Sequence, residues 1–328
     1  MKHGGDLTEA IARHGGVPEG WLDLSTGISP WPWPIPQHLP ESIWQRLPSR
    51  ADTEALTAAA RKAYGVPDDG QLAAAGGTQA LIQLLPYLAA PGPVAIVGPT
   101  YGEHALAWRN AGHSVIAIDS LDACPKNAVH AVVVNPNNPD GRVADRAALT
   151  KLAAQLKARG GWLVIDEAFA DIDPDISAVA LCVDWPVVVL RSFGKFYGLA
   201  GLRLGFAIGA PEIIARIAVA LGPWPCSGPA LLIGATALGD QPWAERTRRA
   251  LEQQARALDE VLVKAGFAIP GGTSLFRLVR HPQASKLHVE LAKRHIWCRS
   301  FDWADDLLRF GLPPDAAGLD RLAVALSN

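Results

Sequence analysis

Five short apolar runs punctuate the middle of this chain and constrain its fold more than any other feature. They are Pro93–Val97, Ser114–Ile118, Ala128–Val134, Trp162–Ile165 and Pro186–Leu190. Each is shorter than an ordinary helix, and none alternates apolar with polar residues as a half-exposed strand does. Helix-length segments separate them, among them Glu103–Ala111 and Arg146–Arg159. That alternation predicts parallel strands covered by helices on both faces. Upstream, Asp52 or Thr53 is expected to cap a helix ending at Tyr64-Gly65, and Gly76-Gly77-Thr78 to open another reaching about Leu88.

After about Leu221 the pattern changes. Pro223-Trp-Pro-Cys-Ser-Gly-Pro229 breaks the chain, and a long helix is expected from Trp243 to Ala265. Strands at Ser274–Val279 and Asp306–Phe310 and helices at Ala284–His295 and Leu319–Leu326 complete the C-terminal part. The expected fold class is therefore α/β. A large domain, residues 41–222, holds a mostly parallel sheet between helices. A smaller α+β domain combines an N-terminal arm, residues 1–40, with residues 223–328. In Ser29–Pro36 proline recurs at every second position. Proline fixes φ and lacks a donor, so this arm is neither helix nor central strand. It is expected to lie extended over its own protein or over a second subunit.

At 328 residues and 49% hydrophobic composition, the chain can bury the cores of two domains without covalent staples. Its net charge of −2, with no basic patch, argues against a nucleic-acid partner. No apolar run reaches the roughly 18 residues needed to cross a bilayer. The opening Met1-Lys-His-Gly-Gly-Asp6 lacks an apolar signal region, so a soluble, cytoplasmic protein is expected. Cys124, Cys182, Cys226 and Cys298 are far apart, and no Cys/His group has zinc spacing. They read as isolated buried thiols, and no metal is expected.

In an open parallel sheet, ligands bind beyond the carboxyl ends of the strands. Four groups of residues fall there. Gly76-Gly77-Thr78-Gln79 precedes a helix, where free N–H groups favour an anion, although an ordinary turn has the same composition. Asn135-Pro-Asn-Asn-Pro-Asp-Gly141 follows an apolar run; its prolines fix its path, and Asn138 offers an amide to a ligand oxygen unless this is a plain turn. Asp166 ends another run. A carboxylate there is costly to bury without a partner. A pyridinium N–H would suit it, as would a structural salt bridge or a helix cap. Lys195 lies in Arg191-Ser-Phe-Gly-Lys-Phe-Tyr-Gly-Leu-Ala-Gly-Leu-Arg-Leu-Gly205, the only lysine or arginine between Arg191 and Arg203. An amine placed between the Ser192 hydroxyl and the Arg203 guanidinium suits a cofactor bearing both a carbonyl and a phosphate.

In the order of these groups, and over essentially its whole length, the chain resembles the fold-type I pyridoxal-phosphate enzymes of the class I/II aminotransferase superfamily. The resemblance implies pyridoxal 5′-phosphate as cofactor, Lys195 as the Schiff-base lysine and Asp166 as the partner of the pyridine nitrogen. It implies that Tyr101 stacks on the ring and that Asn138 bonds its phenolic oxygen. Gly76, Gly77, Thr78, Ser192 and Arg203 would hold the phosphate.

Two branches of the superfamily are closest, the threonine-phosphate decarboxylases of cobalamin synthesis and the histidinol-phosphate aminotransferases. His3-Gly-Gly-Asp6, Asp23-Leu-Ser-Thr-Gly-Ile-Ser-Pro30, Phe169 and the run through Lys195 favour the decarboxylases. The implied reaction is decarboxylation of L-threonine O-3-phosphate to (R)-1-amino-2-propanol O-2-phosphate, with transamination as the alternative. Arg309, with Ser25, Thr26 and Gly27, would fix the substrate carboxylate. His3, Arg277 and Arg299 are the candidates for its distal phosphate. Phe169 stands where many relatives carry a tyrosine. The tyrosine that many aminotransferases place near Leu47-Pro48, reaching the partner's phosphate, is absent. A homodimer is expected by the same resemblance.

Overall fold

A computed structural model describes residues 4–327 and divides the chain into two compact units. The larger comprises Trp33–Asn138 and Val143–Ala244; the smaller comprises Met1–Pro32, Pro139–Arg142 and Glu245–Asn328. The expected boundary after residue 222 therefore moves. Residues 223–244 stay with the larger unit because the helix Gly228–Gly239, capped by the Ser227 hydroxyl, packs along the helix Arg50–Ala63. That second helix begins at Ser49, not at Asp52 or Thr53. Ser49 and Asp52 form a reciprocal capping box, each side chain accepting from the other's backbone N–H.

Strand β1 (Leu22–Leu24) belongs to the smaller unit. The next seven strands are β2 (Gln71–Ala75), β3 (Val94–Val97), β4 (Val115–Ile118), β5 (His130–Val134), β6 (Leu163–Asp166), β7 (Val187–Ser192) and β8 (Gly205–Gly209). They form the sheet of the larger unit. Its order is β2-β8-β7-β6-β5-β3-β4. The five apolar runs are its five parallel strands, β4, β3, β5, β6 and β7. Two further strands close one side, with β8 antiparallel to both β7 and β2.

All of β5, β6 and β7 is buried, as a sheet covered on both faces requires. On one face, alternate residues Val94, Ile96, Val132, Val164, Val188 and Leu190 meet Leu81, Ile82 and Leu85 of the helix Thr78–Leu88 and Trp108 of the helix Glu103–Asn110. The period of two in the strands and the three-to-four spacing in the helices reflect the two backbone geometries. A core of this density holds the carboxyl ends of β5, β6 and β7 rigidly side by side.

The smaller unit contains β9 (Ala268–Thr273), β10 (Phe276–Arg280), β11 (Ile296–Phe301) and β12 (Ala304–Gly311), joined by β1 in the order β1-β11-β12-β10-β9. β1 pairs in parallel with β11, Leu22 opposite Ile296. The loop Pro139–Arg142 docks on β9, where Gly272 N–H donates to the Asp140 carbonyl at 2.8 Å. A side chain at Gly141 or Gly271 would enter that seam, which explains the glycines.

The Ser29–Pro36 arm packs on its own chain. Trp31 Nε1 donates to the Pro314 carbonyl within the smaller unit. Trp33 is buried in the larger unit and donates from Nε1 to Asp240 Oδ2 at 3.1 Å. All four cysteines are free; Cys182, Cys226 and Cys298 are buried, and Cys124 is partly exposed. Among the described residues no helix is long and apolar enough to cross a membrane.

Candidate active site

A cleft of about 780 Å³, open solvent included, lies beyond the carboxyl ends of β5, β6 and β7. It brings together Gly77, Thr78, Tyr101, Asn138, Asp166, Phe169, Ser192, Lys195 and Arg203, residues far apart in sequence. Gly76 is exposed beside them. Lys195 sits in the one-turn helix Phe193–Phe196 that follows β7. Phe193 and Tyr197 stack at 4.5 Å, and Tyr197 stacks on Trp243 at 5.5 Å, so an aromatic column braces that turn. Lys195 Nζ lies 5.8 Å from the centre of the Phe169 ring. Phe169 is buried and offers no hydrogen bond from its side chain.

One end of the cleft is built for an anion. Gly77 has φ +91° and caps the helix Thr78–Leu88, leaving the first-turn N–H groups of that helix turned outward. A Cβ on Gly77 would lie 2.7 Å from Arg203 Nη2, so only glycine leaves room between the helix start and the guanidinium. Gly205, at the start of β8, presses on the same turn: its Cβ would lie 2.5 Å from Thr78 N. Arg203 itself is left-handed, with φ 54°, and donates to the Ala200 carbonyl at 3.1 Å. Ser192, paired with Gly205 across β7 and β8, lines the same cleft.

Asp166, which lines the same cleft, is 3% exposed. Its Oδ1 accepts from Ala168 N–H at 3.0 Å, and its Oδ2 lies 2.8 Å from His104 Nε2. A carboxylate only accepts, so His104 carries its proton on Nε2. His104 was not among the residues expected from sequence. Its one signal was its place three residues after Tyr101, one helical turn on; its partner is sixty-two positions away and leaves no local trace. Behind the strand ends, Arg191 is buried between Glu167 Oε2 at 2.8 Å and Asp171 Oδ1 at 2.6 Å. These bonds tie the residue after Asp166 to the residue before Ser192. Burial pushes the Glu167 carboxyl up, against the opposing pull of Arg191.

The remaining candidates lie in the smaller unit. Arg309 on β12 is 7% exposed and donates from Nη2 to the Ser25 carbonyl at 2.8 Å. Arg299 stands directly opposite it on β11. Burial, and then the like charge of Arg299, push the Arg309 pKa down to about 10. The two guanidiniums therefore share one sheet face, and Arg309 is buried. Ser25 Oγ donates to Asp23 Oδ1 at 2.6 Å and accepts from Gly5 N–H at 2.9 Å, fixing the Ser25–Gly27 turn.

Arg277 does not join this pair. Leu278 is the β10 residue in register with Arg309, so Arg277 points to the opposite face. There Asp259 holds it in a two-point ion pair at 2.6 and 3.1 Å. His3 lies outside the described residues.

The family model for aminotransferase class I and II matches residues 41–326. The chain belongs to that family. It is 46% identical to the threonine-phosphate decarboxylase of a Sinorhizobium species, covering 99% of this chain and 97% of the relative. It is 29% identical to the histidinol-phosphate aminotransferase of Aeromonas salmonicida over 70% of this chain and 67% of that one. The crystal structure of L-threonine-O-3-phosphate decarboxylase from Porphyromonas gingivalis superposes with a TM-score of 0.78 at 19% identity, covering 93% of this chain and 98% of the other, a likeness of fold.

The cleft fits pyridoxal phosphate. The space that a Gly77 side chain would fill lies between a helix start and a guanidinium and suits a phosphate. The buried Asp166 carboxylate suits a pyridinium N–H, and Lys195 lines the same cleft.

Proposed function

We propose that this chain decarboxylates L-threonine O-3-phosphate to (R)-1-amino-2-propanol O-2-phosphate, a step of cobalamin synthesis, using pyridoxal 5′-phosphate. The observation that carries this reading over transamination is the 46% identity, over 99% of the chain, to a threonine-phosphate decarboxylase. When bound, pyridoxal phosphate supplies a protonated ring that accepts the electron pair of a bond broken at the substrate's α-carbon.

The protein's own groups then have distinct tasks. Lys195 Nζ, which lines the cleft, would hold the cofactor through its carbonyl and, once CO₂ has left, would return a proton to the substrate's α-carbon. Asp166 would accept from the protonated ring nitrogen, and His104, 2.8 Å from Asp166 Oδ2, holds that carboxylate in place. Gly77, Thr78, Ser192 and Arg203 would hold the phosphate, Asn138 the ring oxygen, and Tyr101 would cover the ring face. Arg309, with the Ser25–Gly27 turn, receives the substrate carboxylate. Arg299 receives the distal phosphate, with His3 as a further candidate. Arg277 is left out of the grip because Asp259 already binds it. The working assembly is proposed to be a cytoplasmic homodimer.

Incubation with pyridoxal phosphate and O-phospho-L-threonine, without any keto acid, tests the reading. The expected product is an amine lighter than the substrate by one CO₂. A reaction that proceeds only with 2-oxoglutarate, and yields only a keto acid, would assign the chain to transamination.

A further inference from the structure

Tyr101 is joined to its ring by two rotatable bonds, so something must fix the tilt of that ring. Its hydroxyl donates to Gln79 Oε1 at 3.1 Å, and Gln79 Nε2 donates to Glu103 Oε2 at 3.1 Å. The direction of this chain of bonds is set by its far end. A carboxylate only accepts, so the Gln79 amide must turn its NH₂ toward Glu103 and its carbonyl toward the phenol. Glu103 is 8% exposed and lies in the first turn of the helix Glu103–Asn110, where negative charge is favoured. Gln83 Nε2 approaches the same oxygen at 3.5 Å.

Gln79 is also the second residue of the helix Thr78–Leu88, and it lines the cleft. Its backbone N–H is therefore one of the first-turn donors at the anion end, while its side chain holds Tyr101. We propose that Gln79 is a positioning residue that sets the tilt of the Tyr101 ring relative to the phosphate-binding turn. This rests on the assignment of Tyr101 to the cofactor's ring face. It makes phosphate anchoring and ring stacking one rigid feature, since the same residue takes part in both.

A double-mutant cycle on the full-length holoenzyme tests this, with Gln79→Leu, Tyr101→Phe and the double variant. Two quantities are read, the pyridoxal-phosphate Kd and the induced circular dichroism of the bound cofactor, which reports how the ring is held. Each single variant should weaken cofactor binding about threefold to tenfold, the range of one neutral hydrogen bond, and reduce the dichroic band. The double variant should be no worse than the weaker single variant, because both remove the same link. Multiplying effects, or an unchanged band in Gln79→Leu, would overturn the proposal. If Gln79→Leu fails to fold because Glu103 loses its amide partner, Tyr101→Phe alone decides. It leaves the Gln79–Glu103 bond intact and must still lose dichroic intensity; a wild-type band would overturn the proposal. A holoenzyme that passes this cycle but leaves O-phospho-L-threonine intact would refute the proposed reaction without touching the role of Gln79.

Discussion

Gly205→Ala tests whether the anion end of the cleft depends on close backbone contact. The new methyl would lie 2.5 Å from Thr78 N and 2.8 Å from the Gly77 carbonyl carbon, both main-chain atoms that cannot rotate away. Ordinary carbon contacts begin near 3.5 Å, so the turn must retreat by roughly 1 Å. Overpacking of this kind costs about 1–3 kcal/mol. Replacing glycine returns about 0.4–1 kcal/mol through the unfolded chain, leaving a net loss of about 1–2 kcal/mol. A retreat of that size also misaligns at least one N–H of the phosphate site. Charge-assisted bonds are worth about 1.5–3 kcal/mol, so cofactor Kd should rise by about tenfold to a hundredfold.

Two controls separate the effects. Gly161→Ala places its methyl against the Val129 carbonyl, at the amino end of β6 and away from the cleft. It should lower stability and spare cofactor affinity. Gly201→Ala has nothing within 4 Å, so it should raise stability by about 0.4–1 kcal/mol and leave affinity unchanged. Urea midpoints report stability, and fluorescence titration with pyridoxal phosphate reports affinity. Unchanged affinity in Gly205→Ala despite lower stability, or an equal loss of affinity in Gly161→Ala, would refute the argument.

Three further outcomes are expected. His130 is buried with Nε2 donating to the Ala90 carbonyl and Nδ1 accepting from Trp162 N–H, and burial holds its pKa below the ordinary 6.5. Its contribution to stability is therefore present above pH 6.5 and lost as pH falls through the lowered folded value, with a slope approaching about 1.4 kcal/mol per pH unit; a wild-type acid limb in urea titrations of His130→Asn would rule this out. Phosphate should raise the unfolding midpoint by relieving the Arg299–Arg309 repulsion, by about 1.4 kcal/mol at ten times its Kd, and Arg299→Gln should lose most of that gain in thermal melts. Phe169→Tyr should lower the pH midpoint of the bound cofactor's absorbance, because a hydroxyl then stabilises the ring oxygen's anion; an unmoved midpoint in a spectrophotometric titration would exclude Phe169 as its determinant.

The parallel strands and the order of site residues were legible because both follow local rules. Asp166, Ser192 and Lys195 each lie at or just beyond the carboxyl end of a continuous apolar run, and such ends converge in any sheet of this class. What was missed depends on long-range pairing. β2 reads Gln-Leu-Ala-Ala-Ala and β8 reads Gly-Phe-Ala-Ile-Gly, compositions with little β-propensity that are held extended by their neighbours. Ser49 carries a capping-box spacing to Asp52, which was there to be read. Arg277 and Arg299 were both candidates for the distal phosphate; only the pairing register separates their faces. His104 and Gln79 act through partners brought near by folding, and the one sequence signal of His104, its place a turn after Tyr101, did not name its partner.

The placement of β1 has a consequence for synthesis. Leu22 pairs with Ile296, so β1 leaves the ribosome long before the strand it joins. Until then Trp21, Leu22 and Leu24, all buried in the finished protein, have no sheet to join. Pairings of such sequence separation form slowly because the loop must close before any contact rewards it. The sheet of the smaller unit therefore cannot be completed until β11 has been made, and until then the nascent chain carries an apolar strand without its edge.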